Sequence, residues 1–427
     1  MTPRTLDEWL RFVERQHPQA IALGLERVAA VRARMNLGFA CPLLTVGGTN
    51  GKGSTAAMLE AILRAGGYRT GLYTSPHLAR YNERVRIAGV EAADEALAEG
   101  FAAVEAARGG IPLTYFEFGT LAAAWLFARE RLDAVVLEVG LGGRLDAVNI
   151  FDPDCAVLTS IGLDHVEYLG PTREDIGREK AGIFRAGRPA VVGDPEPPAS
   201  VLEAAASLGA RLRLFGRDYG ARAQGEQWLY WSLAGRRATL AHPALRGAVQ
   251  LRNAATAIAA LETLRERLPL GMDAVRRGLA QVALPGRFQV LPGRPRIILD
   301  VAHNPQAAAV LAENLGAAGY APRTLAVFGM LRDKDIAGVV RAVAPRIERW
   351  HLASLGGARG ADAEALTSAL AQAGVHAPAI RHASVADALA GARSEAGADD
   401  RIVVFGSFLT VAAAMAELEA ARSPGNG

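Results

Sequence analysis

Cysteine is nearly missing from this 427-residue chain. Cys41 and Cys155 lie far apart in apolar surroundings, and neither has a CxxC or CxxH partner, which excludes a disulfide framework and a zinc site. Long uncharged apolar runs are missing too: no stretch reaches the ~18 residues a membrane span requires. Near the start, Asp7, Glu8 and Glu14 interrupt Trp9, Leu10, Phe12 and Val13, which breaks a signal-peptide core and predicts an amphipathic helix within 1–17. Neither charge dominates. With 47 Lys and Arg against 44 Asp and Glu, nucleic acid is not an expected partner. The 46 glycines and 21 prolines fall well short of the roughly 25–30% typical of low-complexity chains, so disorder and collagen are excluded. The expectation is a cytoplasmic monomer of a reducing compartment, engaging neither nucleic acid nor membrane.

At about 150 residues per domain, the length predicts two or three domains. From residue 42 to 192, short β-branched or leucine-rich runs alternate with helical patterns. Strands are expected at 43–46, 70–73, 134–139, 156–160 and 189–192, with helices at 54–65, 91–107 and 117–131. Such alternation predicts parallel strands joined by crossover helices. Residues 219–240 differ: Trp228, Leu229, Tyr230 and Trp231 precede an Ala234-Gly235 turn signal, and the stretch reads as a small antiparallel excursion before a helix at 248–268. Three prolines and two Pro-Gly pairs between 284 and 295 suit neither a helix nor a central strand, and mark the domain boundary. Beyond it, strands are expected at 296–301, 325–329, 349–353 and 401–405. Helices are expected at 306–317, 336–343, 363–373, 385–390 and 409–420, before a frayed tail at 423–427.

The sharpest local signal is Val46-Gly47-Gly48-Thr49-Asn50-Gly51-Lys52-Gly53-Ser54-Thr55, which follows a strand and opens a helix. Glycines let backbone N–H groups approach phosphate oxygens, the helix N-terminus adds partial positive charge, Lys52 adds a full one, and Ser54 can face Mg²⁺. Thr49, Asn50, Gly51, Lys52, Gly53 and Ser54 are therefore candidate ATP contacts. The run departs from GxxxxGK[ST], because Val46 stands at the first glycine position and Gly53 separates Lys52 from Ser54. The bland alternative is a glycine-rich strand-to-helix turn. The predicted fold class is α/β: a P-loop-type ATPase domain over 1–287 with a small antiparallel insertion, then a smaller doubly wound, Rossmann-like domain over 296–427.

That departure resembles the nucleotide loop of the Mur ligase superfamily. Thr74-Ser75-Pro76-His77-Leu78, Asn82-Glu83-Arg84, Leu137-Glu138-Val139-Gly140-Leu141-Gly142-Gly143-Arg144-Leu145-Asp146, Ser160-Ile161-Gly162-Leu163-Asp164-His165, Arg178-Glu179-Lys180-Ala181-Gly182-Ile183-Phe184, Pro285-Gly286-Arg287 and Asp300-Val301-Ala302-His303-Asn304-Pro305 resemble, in order, the folylpolyglutamate synthase family. Leu113 to Thr120 together with Leu145-Asp146-Ala147 is similar to the bacterial bifunctional type, which also acts as dihydrofolate synthase. The resemblance implies an ATP-dependent ligase that adds L-glutamate to dihydropteroate and to reduced folates through an acyl phosphate. It implies a C-terminal glutamate-ligase domain. Phosphoryl transfer asks a protein mainly for positioning and charge neutralisation.

By the same resemblance Ser75, Glu138, His165 and a carbamylated Lys180 hold Mg²⁺, with two ions expected. Glu138 ends an apolar strand, where α/β sheets present ligands. Without the family, Ser75 reads as a turn residue, His165 as a hydrogen-bonded structural histidine, Glu138 as a strand-end carboxylate paired with Arg, and Lys180 as part of a solvated helix face. Asn253, Arg287 and Asp300 are implied at the nucleotide, with Lys52, Lys180, Arg287 and His303 as the catalytic set. The alternatives are a solvated Arg287 beside its Pro-Gly turn, and capping at Asp300 and Asn304. Leu23, Gly24, Leu25, Glu26, Thr114, Tyr115, Phe116, Glu117, Leu145, Asp146 and Ala147 resemble the pterin-binding segments; Phe116 could stack on a flat ring or serve the core. Arg84, His303 and Ser407 are the candidates for glutamate, since arginine suits a carboxylate, although Arg80 and Arg86 are also at hand. A monofunctional folylpolyglutamate synthase is the near alternative, and an ATP-hydrolysing switch protein the distant one. A cell-wall Mur ligase is disfavoured, because the loop begins near residue 47 with no separate domain ahead of it.

Overall fold

Two strands, β1 (Leu43–Gly47) and β5 (Ala134–Glu138), are buried along their whole length, as strands covered on both faces must be. The computed structural model describes residues 3–19 and 21–421, so the expected frayed tail at 423–427 lies outside the described residues. Around β1 and β5 run β2 (Thr70–Tyr73), β3 (Val85–Ile87), β4 (Val90–Glu91), β6 (Cys155–Leu158), β7 (Pro189–Val192) and β8 (Arg211–Leu214), in the spatial order β4-β3-β2-β5-β1-β6-β7-β8. From β2 to β8 the neighbours pair in parallel, whereas β3 and β4 are antiparallel. The helix expected at 91–107 therefore starts later, at Asp94, because Glu91 is spent in β4.

The chain leaves β1 toward β2 on one side and later adds β6 and β7 on the other, so strand order reverses around β1. Ligands of open α/β sheets bind at such a switch point, outside the carboxyl ends of the strands. Capping fixes where the surrounding helices begin. Thr114 accepts from Glu117 N and Glu117 reaches back, which starts the helix Tyr115–Arg129 two residues before the expected 117. At the N-terminus, Thr5 and Glu8 make the same box for Leu6–Val13, which buries Leu6, Trp9 and Val13.

The antiparallel excursion is a three-stranded sheet of β9 (Tyr219–Gln224), β10 (Gln227–Ser232) and β11 (Arg237–Ala241), with Trp228 and Tyr230 on its buried face. By contacts the chain divides into two units that meet in sequence at Ala283 and Leu284, with Leu245–Val249 grouped with the second. That second unit has the strand order β12 (Gln289–Leu291), β13 (Arg296–Leu299), β17 (Arg401–Phe405), β14 (Thr324–Phe328), β15 (Arg349–Ala353) and β16 (Ala379–His382). Only β12 pairs antiparallel, at the edge, where a proline-bounded strand is tolerated. Phe328, Trp350 and Phe405, with ring centroids 4.9 to 6.2 Å apart, form part of its core. Among the described residues no helix is long and apolar enough to cross a membrane.

Candidate active site

After Gly47 the backbone turns through Gly48 and Gly51 into the helix Lys52–Ala65. Gly48 has φ 141°, and a Cβ there would lie 2.0 Å from Thr159 Oγ1; Gly51 has φ 89°, and a Cβ would lie 2.8 Å from Asn253 Oδ1. Both positions exclude a side chain by conformation and by space. The second contact also places the Asn253 amide against the loop, while its Nδ2 donates to Gln250 Oε1 at 2.9 Å. The segment after β6 clamps the loop from the other side. Thr49 N donates to Ser160 O (2.7 Å), Asn50 N to Ser160 Oγ (3.1 Å) and Thr159 Oγ1 to Asn50 O (2.7 Å), and Thr49 Oγ1 exchanges hydrogen bonds with the Gly162 backbone. Gly53 and the buried Ser54 fall in the first helical turn.

Two lysines meet on one carbonyl. Lys52 Nζ donates to Gly48 O at 3.1 Å and to Thr49 O at 3.3 Å, and Lys180 Nζ donates to Gly48 O at 3.0 Å. Lys180 is only 5% exposed, which corrects the alternative of a solvated helix face. Burial, followed by the neighbouring Lys52 charge, brings its ammonium down to about 7, against the opposing pull of Asp164 and Asp146. Arg144 secures the end of its helix, Arg173–Ala181, by donating backbone N to Glu179 O (2.8 Å) and its guanidinium to Glu179 Oε1 (2.9 Å).

Glu138 is buried at the carboxyl end of β5, opposite Val46 of β1, and its Oε2 accepts from Ser75 N at 3.1 Å. His165 has φ 51° and caps a short helix, with Nε2 4.0 Å from Asp164 Oδ1. Among the described residues no three His, Cys, Asp or Glu side chains gather as a metal cage. One buried carboxylate beside a phosphate-type loop nevertheless fits Mg²⁺, which takes one or two carboxylates and completes its shell with phosphate oxygens and water.

The segments expected to take the pterin acid are joined by Arg27, which no sequence signal singled out. Arg27 forms a 3.0 Å ion pair with buried Glu117 and donates to Ala22 O, which brings 23–26 beside 114–117. Thr114 and Glu117 are engaged in the helix cap. Phe116 is half-buried, 5.8 Å from the Tyr73 ring and packed on Gly140. Leu145 is half-buried and Ala147 buried. Asp146 accepts from Leu141 N (2.9 Å) and Val148 N (3.0 Å), tying down the glycine-rich loop after β5, and burial pushes its carboxyl up to about 6.

Position separates the three arginines. Arg80 pairs with Asp94 at the surface and Arg86 pairs with buried Glu60 at 2.6 Å. Arg84 is 9% exposed; its Nε donates to His77 Nδ1 at 2.8 Å, and its guanidinium carbon lies 5.3 and 5.5 Å from the Tyr81 and Tyr115 ring centroids. Burial first, and then Arg84, lowers His77 to about 4.

In the second unit, Asp300 accepts from Phe288 N (2.9 Å) and Ala302 N (2.8 Å), and burial raises its carboxyl. Asn304, not Asp300, caps the helix Pro305–Ala317. Arg287 is not simply solvated beside its turn: its guanidinium sits 5.0 Å from the Phe408 centroid. His303 Nδ1 donates to Val301 O at 2.8 Å, and its ring lies 6.0 Å from the same phenyl. Ser407 caps the helix Phe408–Ala420 by accepting from Thr410 N at 3.0 Å.

Two family models match the chain: a Mur ligase middle domain over residues 46–261 and a Mur ligase glutamate ligase domain over 286–408. Fold and site therefore define a two-unit ligase of the Mur type. The dihydrofolate synthase/folylpolyglutamate synthase of Escherichia coli K12 is 48% identical over 421 residues, covering 98% of this chain and 97% of that protein. E. coli FolC in complex with DHPP and ADP superposes with a TM-score of 0.93 at 47% identity, covering 99% of this chain and 100% of that one. A bifunctional folylpolyglutamate synthase/dihydrofolate synthase with Mn, AMPPNP and L-glutamate bound gives 0.90 at 47% identity, covering 98% and 100%. The chain belongs to the dihydrofolate synthase/folylpolyglutamate synthase family.

Proposed function

We propose that this protein is an ATP-dependent ligase that joins L-glutamate to dihydropteroate and to the γ-carboxylate of reduced folates. A carboxylate does not react with an amine unaided. The γ-phosphoryl group of ATP passes to a carboxylate oxygen and ADP leaves; the glutamate amine then attacks the acyl carbon, loses a proton and expels phosphate. The observation that carries this reading is the convergence of Lys52 and Lys180 on Gly48 O, in a loop already clamped to the end of β6. Lys52 there supplies fixed positive charge where phosphoryl charge develops, and Lys180 offers its amine beside it. The relatives' complexes with ADP, AMPPNP, Mn and glutamate support it.

Each residue then has a part. Thr49, Asn50, Gly51, Lys52, Gly53 and Ser54, with Asn253, Arg287 and Asp300, bind ATP. Ser75, Glu138, His165 and carbamylated Lys180 would hold two Mg²⁺ ions, which supply charge neutralisation on phosphate oxygens. Carbamate formation needs the free amine to attack CO₂ and release a proton, and a lysine brought down to about 7 has that amine at neutral pH. Leu23 to Glu26, Thr114 to Glu117 and Leu145 to Ala147 take the pterin acid; Arg84, His303 and Ser407 take glutamate. The first unit is the ATP-binding domain and the second, which carries Arg287, the glutamate-ligase domain of a cytoplasmic monomer that uses neither nucleic acid nor membrane.

An ADP-release assay tests the proposal, run separately with dihydropteroate and tetrahydrofolate, each with and without glutamate. Release that requires both acid and glutamate, with either acid, is expected. Full-rate turnover without glutamate would contradict the ligase, and response to tetrahydrofolate alone would make it monofunctional.

A further inference from the structure

A cation as buried as Arg84 ordinarily faces a carboxylate, because an uncompensated buried charge is costly. Here no acidic side chain lies within ion-pair distance among the described residues. Its sequence neighbour Glu83 is engaged with the backbone N–H groups of Leu78, Ala79 and Arg80 at 2.6 to 2.7 Å. Around the guanidinium stand instead the His77 imidazole, which accepts from it, and the Tyr81 and Tyr115 rings. The electrostatic balance of this place is left for an anion that comes from outside.

We infer that His77 is the positioning residue for that anion: by accepting the Arg84 Nε–H it fixes the guanidinium so that the Nη donors meet the carboxylate of incoming glutamate. This rests on the reading of Arg84 as a glutamate contact. Nδ1 of His77 must carry the lone pair, so its proton rides on Nε2, and the imidazole edge sets the rotation of the guanidinium plane. Tyr81 and Tyr115 provide the ring faces beneath the cation. Bidentate capture of a carboxylate needs that plane held at a defined angle. The location suits a ligase. Tyr115 belongs to the pterin-type segment, and Ser75, two residues before His77, donates to Glu138.

Steady-state kinetics of the full chain test this with three variants. His77→Asn keeps an acceptor near the place of Nδ1, His77→Leu removes it, and His77→Asp gives Arg84 a carboxylate of its own. His77→Leu and His77→Asp should each raise the KM for glutamate by about tenfold or more, with kcat and the KM for ATP within about threefold, the pattern of lost uniform binding. His77→Asn should stay within about threefold of wild type. The aspartate variant separates the roles: it supplies Arg84 with an ion pair and should keep or raise the Tm, so a purely structural His77 would leave its glutamate KM unchanged. The inference is overturned if the aspartate variant holds its glutamate KM within twofold, if the KM for the pterin acid moves instead, or if His77→Asn is as impaired as His77→Asp. Should His77→Leu not fold, the Asp and Asn pair still decides. Wild-type turnover that ignored glutamate would strike the ligase reading itself, separately from His77.

Discussion

The loop around Gly48 in the first unit and the cluster around Phe408 in the second hold their cations by different means. In the first, Lys52 and Lys180 are fastened to a backbone carbonyl, and the loop carrying it is bonded to the segment after β6. In the second, Arg287 lies over an aromatic face and His303 is steadied by one short bond to Val301 O. A carbonyl fixes a charge to a point, whereas a ring face restrains it only to a plane. Substitutions in the loop should therefore abolish chemistry, and those around Phe408 should grade it.

The largest effect is expected for Lys52→Ala and Glu138→Ala. Each should lower kcat by about 10³ or more, the scale of losing a transition-state charge contact, with an unchanged circular dichroism spectrum. Loss of the fold instead would assign these residues to structure. Lys180→Ala should follow with about 10²-fold loss, partly restored by a short carboxylic acid in place of the proposed carbamate; wild-type activity would remove Lys180 from the site.

Titration sharpens the same contrast. The folded chain holds Lys180 near 7, well below its ordinary 10.5, so the unfolded chain binds its proton more tightly. Stability from this group is therefore present above about 10.5 and is lost as pH falls toward 7. In CO₂-depleted buffer, wild-type Tm should rise across that window relative to Lys180→Met; identical profiles would contradict the burial. Next comes Gly51→Ala, where a strained left-handed residue and the Asn253 contact together predict destabilisation of about 1–3 kcal/mol, read by urea unfolding. Smallest is Phe408→Leu. Loss of a cation–π contact worth about 0.5–2 kcal/mol should cost roughly 2- to 30-fold in kcat/KM, and a 10³-fold loss would show that the ring does more than steady Arg287.

Local signals carried much of the fold. The strands Thr70–Tyr73, Pro189–Val192, Arg349–Ala353 and Arg401–Phe405 have the expected bounds because each apolar run is flanked by glycine or polar residues. Edge strands left no such trace. Ala379–His382 is largely solvent-facing and Arg211–Leu214 only partly buried, and β3 and β4 flank an Ala88-Gly89 turn just ahead of the helix expected at 91–107, which they overlap only at Glu91. Site residues divide in the same way. Gly48 and Lys52 announce themselves through spacing, whereas the burial of Lys180 depends on the Gly48 carbonyl, 132 positions away in sequence. Arg27 escaped notice and His77, though part of a matched motif, carried no role, because their partners, Glu117 and Arg84, give them meaning only once the chain is folded.

The central claim is that the acid is activated by phosphorylation before the amine attacks. With ¹⁸O in both carboxylate oxygens of dihydropteroate, mass analysis of the inorganic phosphate from a single turnover tests it most directly. The account predicts one labelled oxygen in each phosphate released, and phosphate free of label alongside normal product formation would contradict it.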